Sequence, residues 1–220
     1  LVAYAWGMKF IGEDDEIILS VEEHHSNIIP WQLVASFKKA RLRFIPVNNN
    51  GELDLEAYKK LFNSKTRFVS VSAMSNVFGI LNPIAELTRI AHEHEVPILL
   101  DAAQAMAHSK IDVSEIGCDF LAFSAHKMLG PTGVGVLYGM PEKLDVMSPF
   151  RGGGEMISNV ELESATWAEL PYKFEAGTMN IAGVIGFGAA INYLNSLDWN
   201  EVQEYEHMIT DYAVRHLRMI

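Results

Sequence analysis

The sequence predicts an α/β fold, a mostly parallel mixed sheet with helices on both faces, and three observations carry that expectation. Short apolar runs alternate with stretches of helical period through the first half of the chain. That order of strand and helix favours parallel strands covered on both sides. Further on, an apolar run at 133–139 follows another at 119–124 after eight residues, too few for a parallel crossover, so these two strands are expected to be antiparallel. Finally, 220 residues with 49% hydrophobic and 20% charged side chains suffice for the core of one α/β domain, or of the larger part of one.

Taken in order, residues 1–6 read as the end of a helix, 17–20 as a strand, 28–39 as a helix, 42–47 as a strand and 53–62 as a helix. A strand at 68–73, a helix at 84–94 and a strand at 97–101 continue the alternation. Residues 149–171 are rich in Gly, Ser and Glu with little periodicity, which predicts a long excursion over the surface or across a subunit contact. Two helices, at 182–197 and 201–219, close the chain. There is no internal repeat, low-complexity tract or interdomain linker in this pattern. Both ends look cut inside helices, so the chain is expected to be a fragment, one domain over 1–220.

A net charge of -11 leaves no basic stripe for a phosphate backbone, so no nucleic-acid partner is expected. The single cysteine, Cys118, cannot form an intrachain disulfide. Neither a secretory apolar region nor a run long enough to span a bilayer is present, so a soluble protein of the cytoplasm, with no membrane partner, is the expectation.

The chemistry-bearing pattern is one strand ending in Asp101-Ala102-Ala103-Gln104 and a second ending in Ser124-Ala125-His126-Lys127. Open parallel sheets bind ligands at the carboxyl ends of their strands. An Asp at that edge can keep a pyridine nitrogen protonated, and a Lys at the neighbouring edge can supply the amine for a Schiff base. Ser124 and His126 offer hydroxyl and imidazole donors for a phosphate, and Gly130-Pro131-Thr132-Gly133 makes a tight turn behind them. Each residue also has a plainer reading: a helix cap for the Asp, a solvated Lys, a His that satisfies backbone. A Walker-type phosphate loop is rejected, because Gly130 to Gly135 lacks the Gly-Lys-Ser/Thr ending and leads into a strand. His24 and His25 would point to opposite sides of an extended segment, and His92 and His94 lie about 200° apart on a helix, so no metal site is expected.

Six segments, in order, carry a resemblance. They are Glu23-His24-His25-Ser26-Asn27-Ile28-Ile29-Pro30-Trp31-Gln32, Ser75-Asn76-Val77-Phe78-Gly79, Asp101 to Ala105, Asp119 to Lys127, Gly152 to Ile157, and Phe174-Glu175-Ala176-Gly177-Thr178. Together, over nearly the whole chain, they resemble the SUF-type (group II) cysteine desulfurases of the fold type I, class V aminotransferase superfamily. The resemblance implies the large domain of a transferase that uses pyridoxal 5'-phosphate. Lys127 would be the Schiff-base lysine and Asp101 the partner of the pyridine nitrogen, with Gln104 and Asn76 around the phenolic oxygen. Ser124 and His126 would bind the phosphate, and His24 would stack on the ring and could move protons. Thr178 would reach the phosphate of the other subunit, which implies a homodimer, with the Gly152 to Ile157 loop near the active-site mouth.

Two departures stand inside the chain: Met179 where the family commonly has Pro, and Ala125 where the SUF type usually has Gly. By the resemblance, a phosphate-binding Gly-Thr-Thr segment should precede Leu1, and the catalytic cysteine, the substrate-carboxylate arginine and a small domain should follow Ile220. Cys118 does not replace that cysteine, since family members also carry a structural Cys just before the strand that leads to the lysine. The implied activity is conversion of L-cysteine to L-alanine, leaving a persulfide on the enzyme. An acceptor protein would then take the sulfur towards iron–sulfur clusters. Selenocysteine lyase and cysteine sulfinate desulfinase are the alternatives within the same chemistry. A catalytically silent domain that binds a partner is the alternative outside it.

Overall fold

Six strands form one sheet in the computed structural model, which describes residues 1–220. They are β1 (Glu16–Ser20), β2 (Arg41–Ile45), β3 (Thr66–Ser72), β4 (Ile98–Asp101), β5 (Phe120–Ser124) and β6 (Gly135–Gly139), and they stand in the order β2-β1-β3-β4-β5-β6. Every pairing from β2 to β5 is parallel, whereas β5 and β6 are antiparallel. The reason is the one legible in the sequence: only a 3₁₀ turn at Ala125–Met128 and the Gly130–Gly133 bend join β5 to β6.

The helices are α1 (Met8–Phe10), entered through a π-helical turn at Ala3–Gly7, then α2 (Ile29–Lys38), α3 (Leu55–Leu61), α4 (Ile84–Glu93), α5 (Val113–Ile116), α6 (Pro141–Val146), α7 (Ile181–Asn195) and α8 (Trp199–Leu217). The starts of α3, α5, α7 and α8 are marked by acceptor side chains that satisfy free N–H groups. Asp54 accepts from Ala57 N at 2.9 Å, Asn180 from Gly183 N at 3.0 Å and Asp198 from Asn200 N at 2.9 Å. Pro30 stands in the first turn of α2, where no donor is needed, and Lys39 ends that helix in the left-handed conformation.

Alternate residues of the central strands feed two cores. Ile18, Val69, Val71, Ile98 and Leu100 pack with Tyr58, Leu87 and Ile90 from α3 and α4. Ile17, Leu19, Phe68, Leu99 and Phe120 pack on the opposite face with Trp31 and Val34 from α2 and with Trp6. All these strand residues are buried, so β1, β3 and β4 are apolar on both faces, as interior parallel strands must be. Edge strand β2 carries exposed Arg41 and Arg43 instead, which blunts an open edge.

Residues 149–171 run over the surface and also carry an element that their weak periodicity did not announce: β7 (Ile157–Val160) and β8 (Ala165–Trp167) pair as a small antiparallel hairpin. Strand formers at Ile157, Val160, Thr166 and Trp167 and a 2.7 Å bond between the Ser158 and Thr166 hydroxyls support it. The hairpin is mostly exposed, so the segment is a surface excursion with a paired tip.

Candidate active site

Ser72 ends β3, Asp101 ends β4 and Ser124 ends β5, and all three point their chain ends to the same edge of the sheet. Beyond that edge lies a cavity of about 250 Å³. Seven side chains singled out from the sequence line it: His24, Asn76, Asp101, Gln104, Ser124, His126 and Lys127. Thr178 is exposed and does not line it.

Lys127 rides on the 3₁₀ turn that leaves β5 and is half-buried. Its Nζ donates to Gln104 Oε1 at 3.4 Å, with no carboxylate paired to it. A weakly held amine at a cavity wall is positioned to react with a carbonyl. Asp101 is half-buried, and its Oδ1 accepts from Ala103 N at 3.0 Å. The Asp101 carboxylate faces a second void of about 250 Å³ as well, lined by Trp31, Leu99, Phe123 and Leu137 among others. Ser26, Asp101, Ala103 and Ser124 line both spaces, so the carboxylate stands at their junction.

His24 caps the 3₁₀ turn His25–Asn27, with Ser26 N donating to its Nδ1 at 3.2 Å and the Ser26 hydroxyl lying 2.8 Å from the same atom. Because Nδ1 accepts, the neutral ring carries its proton on Nε2. His126 is exposed and Ser124 half-buried, and both line the same cavity. Ser26, Ser72, Met74 and Ala103 complete the lining without having been singled out. Ser72 had a usable signal, since it ends a buried strand beside the strand of Asp101.

The histidines weighed for metal have other partners. His92 Nε2 lies 2.9 Å from Asp119 Oδ2, and His94 stacks on Phe62 with ring centroids 4.4 Å apart. Cys118 lies at the opposite end of β5 from Lys127, fully buried, and burial with the nearby Asp119 charge pushes its thiol up to about 11. Such a thiol is a packing group, not a nucleophile.

Comparison with known proteins identifies the family. The family profile for aminotransferase class-V matches residues 1–220. A cysteine desulfurase of Klebsiella pneumoniae is 47% identical over 221 aligned positions, covering 100% of this chain and 54% of that protein. The crystal structure of the Escherichia coli cysteine desulfurase CsdA superposes with a TM-score of 0.96 at 38% identity, over 99% of this chain and 54% of CsdA. A mutant of C-DES with glycine covalently linked to its PLP cofactor superposes with a TM-score of 0.80 at 26% identity, over 92% of this chain and 56% of C-DES. The chain therefore spans about half the length of the curated relatives it matches. With the family profile matched from the first residue to the last, the chain belongs to the class-V aminotransferase family.

Proposed function

We propose that this chain is the cofactor-binding large domain of a pyridoxal 5'-phosphate-dependent cysteine desulfurase, which converts L-cysteine to L-alanine and passes on the sulfur. The observation that carries the proposal is the pair of neighbouring strand ends that bring a weakly held amine, Lys127 Nζ, and the Asp101 carboxylate to one cavity. The cofactor linked to C-DES, and the desulfurase activity named for CsdA and the Klebsiella protein, support it. The run Glu23 to Gln32 supports the SUF-type subgroup.

The residues present fit the cofactor. An amine, a carboxylate, two imidazoles and several hydroxyl and amide donors surround a small polar cavity, which suits an aromatic aldehyde bearing a phosphate. Lys127 would hold it covalently, and Asp101 would keep a proton on its ring nitrogen. Ser124 and His126 would donate to its phosphate, Gln104 and Asn76 to its phenolic oxygen, and His24 would cover the ring. When bound, the group draws electron density from the substrate Cα. Lys127 Nζ would also serve as the base that takes the Cα proton and later returns one. Nε2–H of His24 would be a second site for proton movement. In this reading Thr178 serves the phosphate of a second subunit in a homodimer, an acceptor protein takes the sulfur towards iron–sulfur clusters, and the protein works in the cytoplasm.

The test is reaction of the protein with added pyridoxal 5'-phosphate, borohydride reduction, and mass analysis of the peptide containing residue 127. A reduced adduct on Lys127, absent in Lys127→Ala, is expected. Turnover of L-cysteine by the full-length variant should fall by about a thousandfold or more. An adduct on another lysine, or one that persists in Lys127→Ala, overturns the assignment.

A further inference from the structure

Directly behind the cavity lies a carboxyl group that the proposed chemistry does not use. Glu23 is 6% exposed, one residue before His24, and three donors from three segments converge on it. Ser20 Oγ at the end of β1 donates to Oε1 at 2.5 Å, Ser72 N at the end of β3 donates to the same oxygen at 2.8 Å, and Asn27 Nδ2 donates to Oε2 at 2.7 Å. Asn27 is anchored in turn, because its Oδ1 accepts from Ser70 Oγ at 2.6 Å and from Trp31 Nε1 at 3.4 Å. The segment His24 to Asn27 is thus pinned at both ends to the sheet. Ser72 is also the register partner of Asp101. One carboxyl therefore ties the His24 turn to the strand beside the one that carries Asp101.

We propose that Glu23 is a positioning residue of this site: its buried carboxyl locks the His24 turn onto the ends of β1 and β3, and so sets how the His24 ring lies over the cavity. The cofactor readout below rests on the pyridoxal phosphate reading; the ring readout does not. Above about pH 7, where the carboxyl is ionised and accepts all three bonds, replacing one oxygen by an NH₂ group, as in Glu23→Gln, sets a donor against one of three donors and breaks the lock while keeping the volume.

The experiment is a double-mutant cycle in the full-length protein, with Glu23→Gln, His24→Ala and the pair together. Pyridoxal 5'-phosphate affinity and the circular dichroism of the bound cofactor are measured. Glu23→Gln should weaken binding about tenfold and alter the dichroic band, yet cost less than about twofold once His24 is Ala. An equal cost with and without His24 would mark Glu23 as a general structural residue and overturn the proposal, as would wild-type affinity and band shape. Nitrogen chemical shifts of the His24 imidazole give an answer without cofactor: a single Nε2–H tautomer in the wild type and a mixture in Glu23→Gln are expected, and identical shifts overturn the proposal. If Glu23→Gln does not fold, Ser20→Ala removes one donor only. It should cost about threefold in affinity, again only when His24 is present, and an equal cost in both backgrounds overturns the proposal. A wild-type protein that folds, shows the ordered His24 tautomer and binds no pyridoxal phosphate would refute the function while leaving the lock in place.

Discussion

Glu23 also bears on stability, through a balance that its contacts make explicit. Burial raises its carboxyl from the ordinary 4.5 to about 7, the bonds from Ser20, Asn27 and Ser72 pull the other way, and the Asp101 charge adds to the rise. A folded-state pKa above the unfolded one means that the folded chain binds more protons between the two values. Its contribution is complete below about 4.5 and is lost as pH rises through about 7. Glu23→Gln lacks this titration, so relative to the wild type it should gain up to about 3 kcal/mol from acid to mildly alkaline pH. Urea denaturation of both proteins at several pH values measures it, and a constant difference would contradict it. At this scale, Lys127 and Asp101 were legible because Asp101 is the last residue of its strand and Lys127 follows the last residue of its own within one short turn. The Glu23 lock was not, since its partners Ser72 and, through Asn27, Ser70 lie 49 and 43 residues along the chain from the groups they meet.

The turn between β5 and β6 is the element that presents Lys127, and Gly130 shows how tightly it is built. A Cβ added there would lie 2.9 Å from the Ala125 carbonyl oxygen and 2.8 Å from Phe187 Cδ2 of α7. The Ala125 oxygen cannot retreat without loss, because it accepts from Gly130 N at 2.9 Å. Gly130→Ala should therefore destabilise the protein by about 1–3 kcal/mol, read from the denaturation midpoint, and slow formation of the Lys127 adduct. Normal stability together with normal adduct formation would show that the turn is not under this constraint. That Gly130 begins a tight turn could be read from Gly-Pro-Thr-Gly. The ring of Phe187, which presses on it from α7, could not. The β7–β8 hairpin was missed for a related reason: its strands are only four and three residues long, too short for a period to emerge from a Gly- and Ser-rich background.

For the molecule as a whole, stability rests on the two cores that clamp the sheet. Phe68 is fully buried in one of them, its ring centroid 4.7 Å from Trp31 and 6.1 Å from both Trp6 and Phe120. Phe68→Ala should cost about 3–5 kcal/mol. The denaturation midpoint should move without a change in the slope, as for a loss spread over one cooperative unit. A changed slope or a second transition would show that the two faces unfold separately. What the sequence by itself determined is the succession of strands and helices, the antiparallel β5–β6 pair, the family motifs and the strand-end residues, all of which follow from local period, turn chemistry and short spacing. Tertiary structure alone decided that β1 lies between β2 and β3, that Asp101 borders two voids, and that Glu23 holds the His24 turn to the sheet. Those features depend on hydrogen bonds and packing between residues far apart in the chain, whereas a hydrophobic period records only which face of an element is buried and not which element it meets.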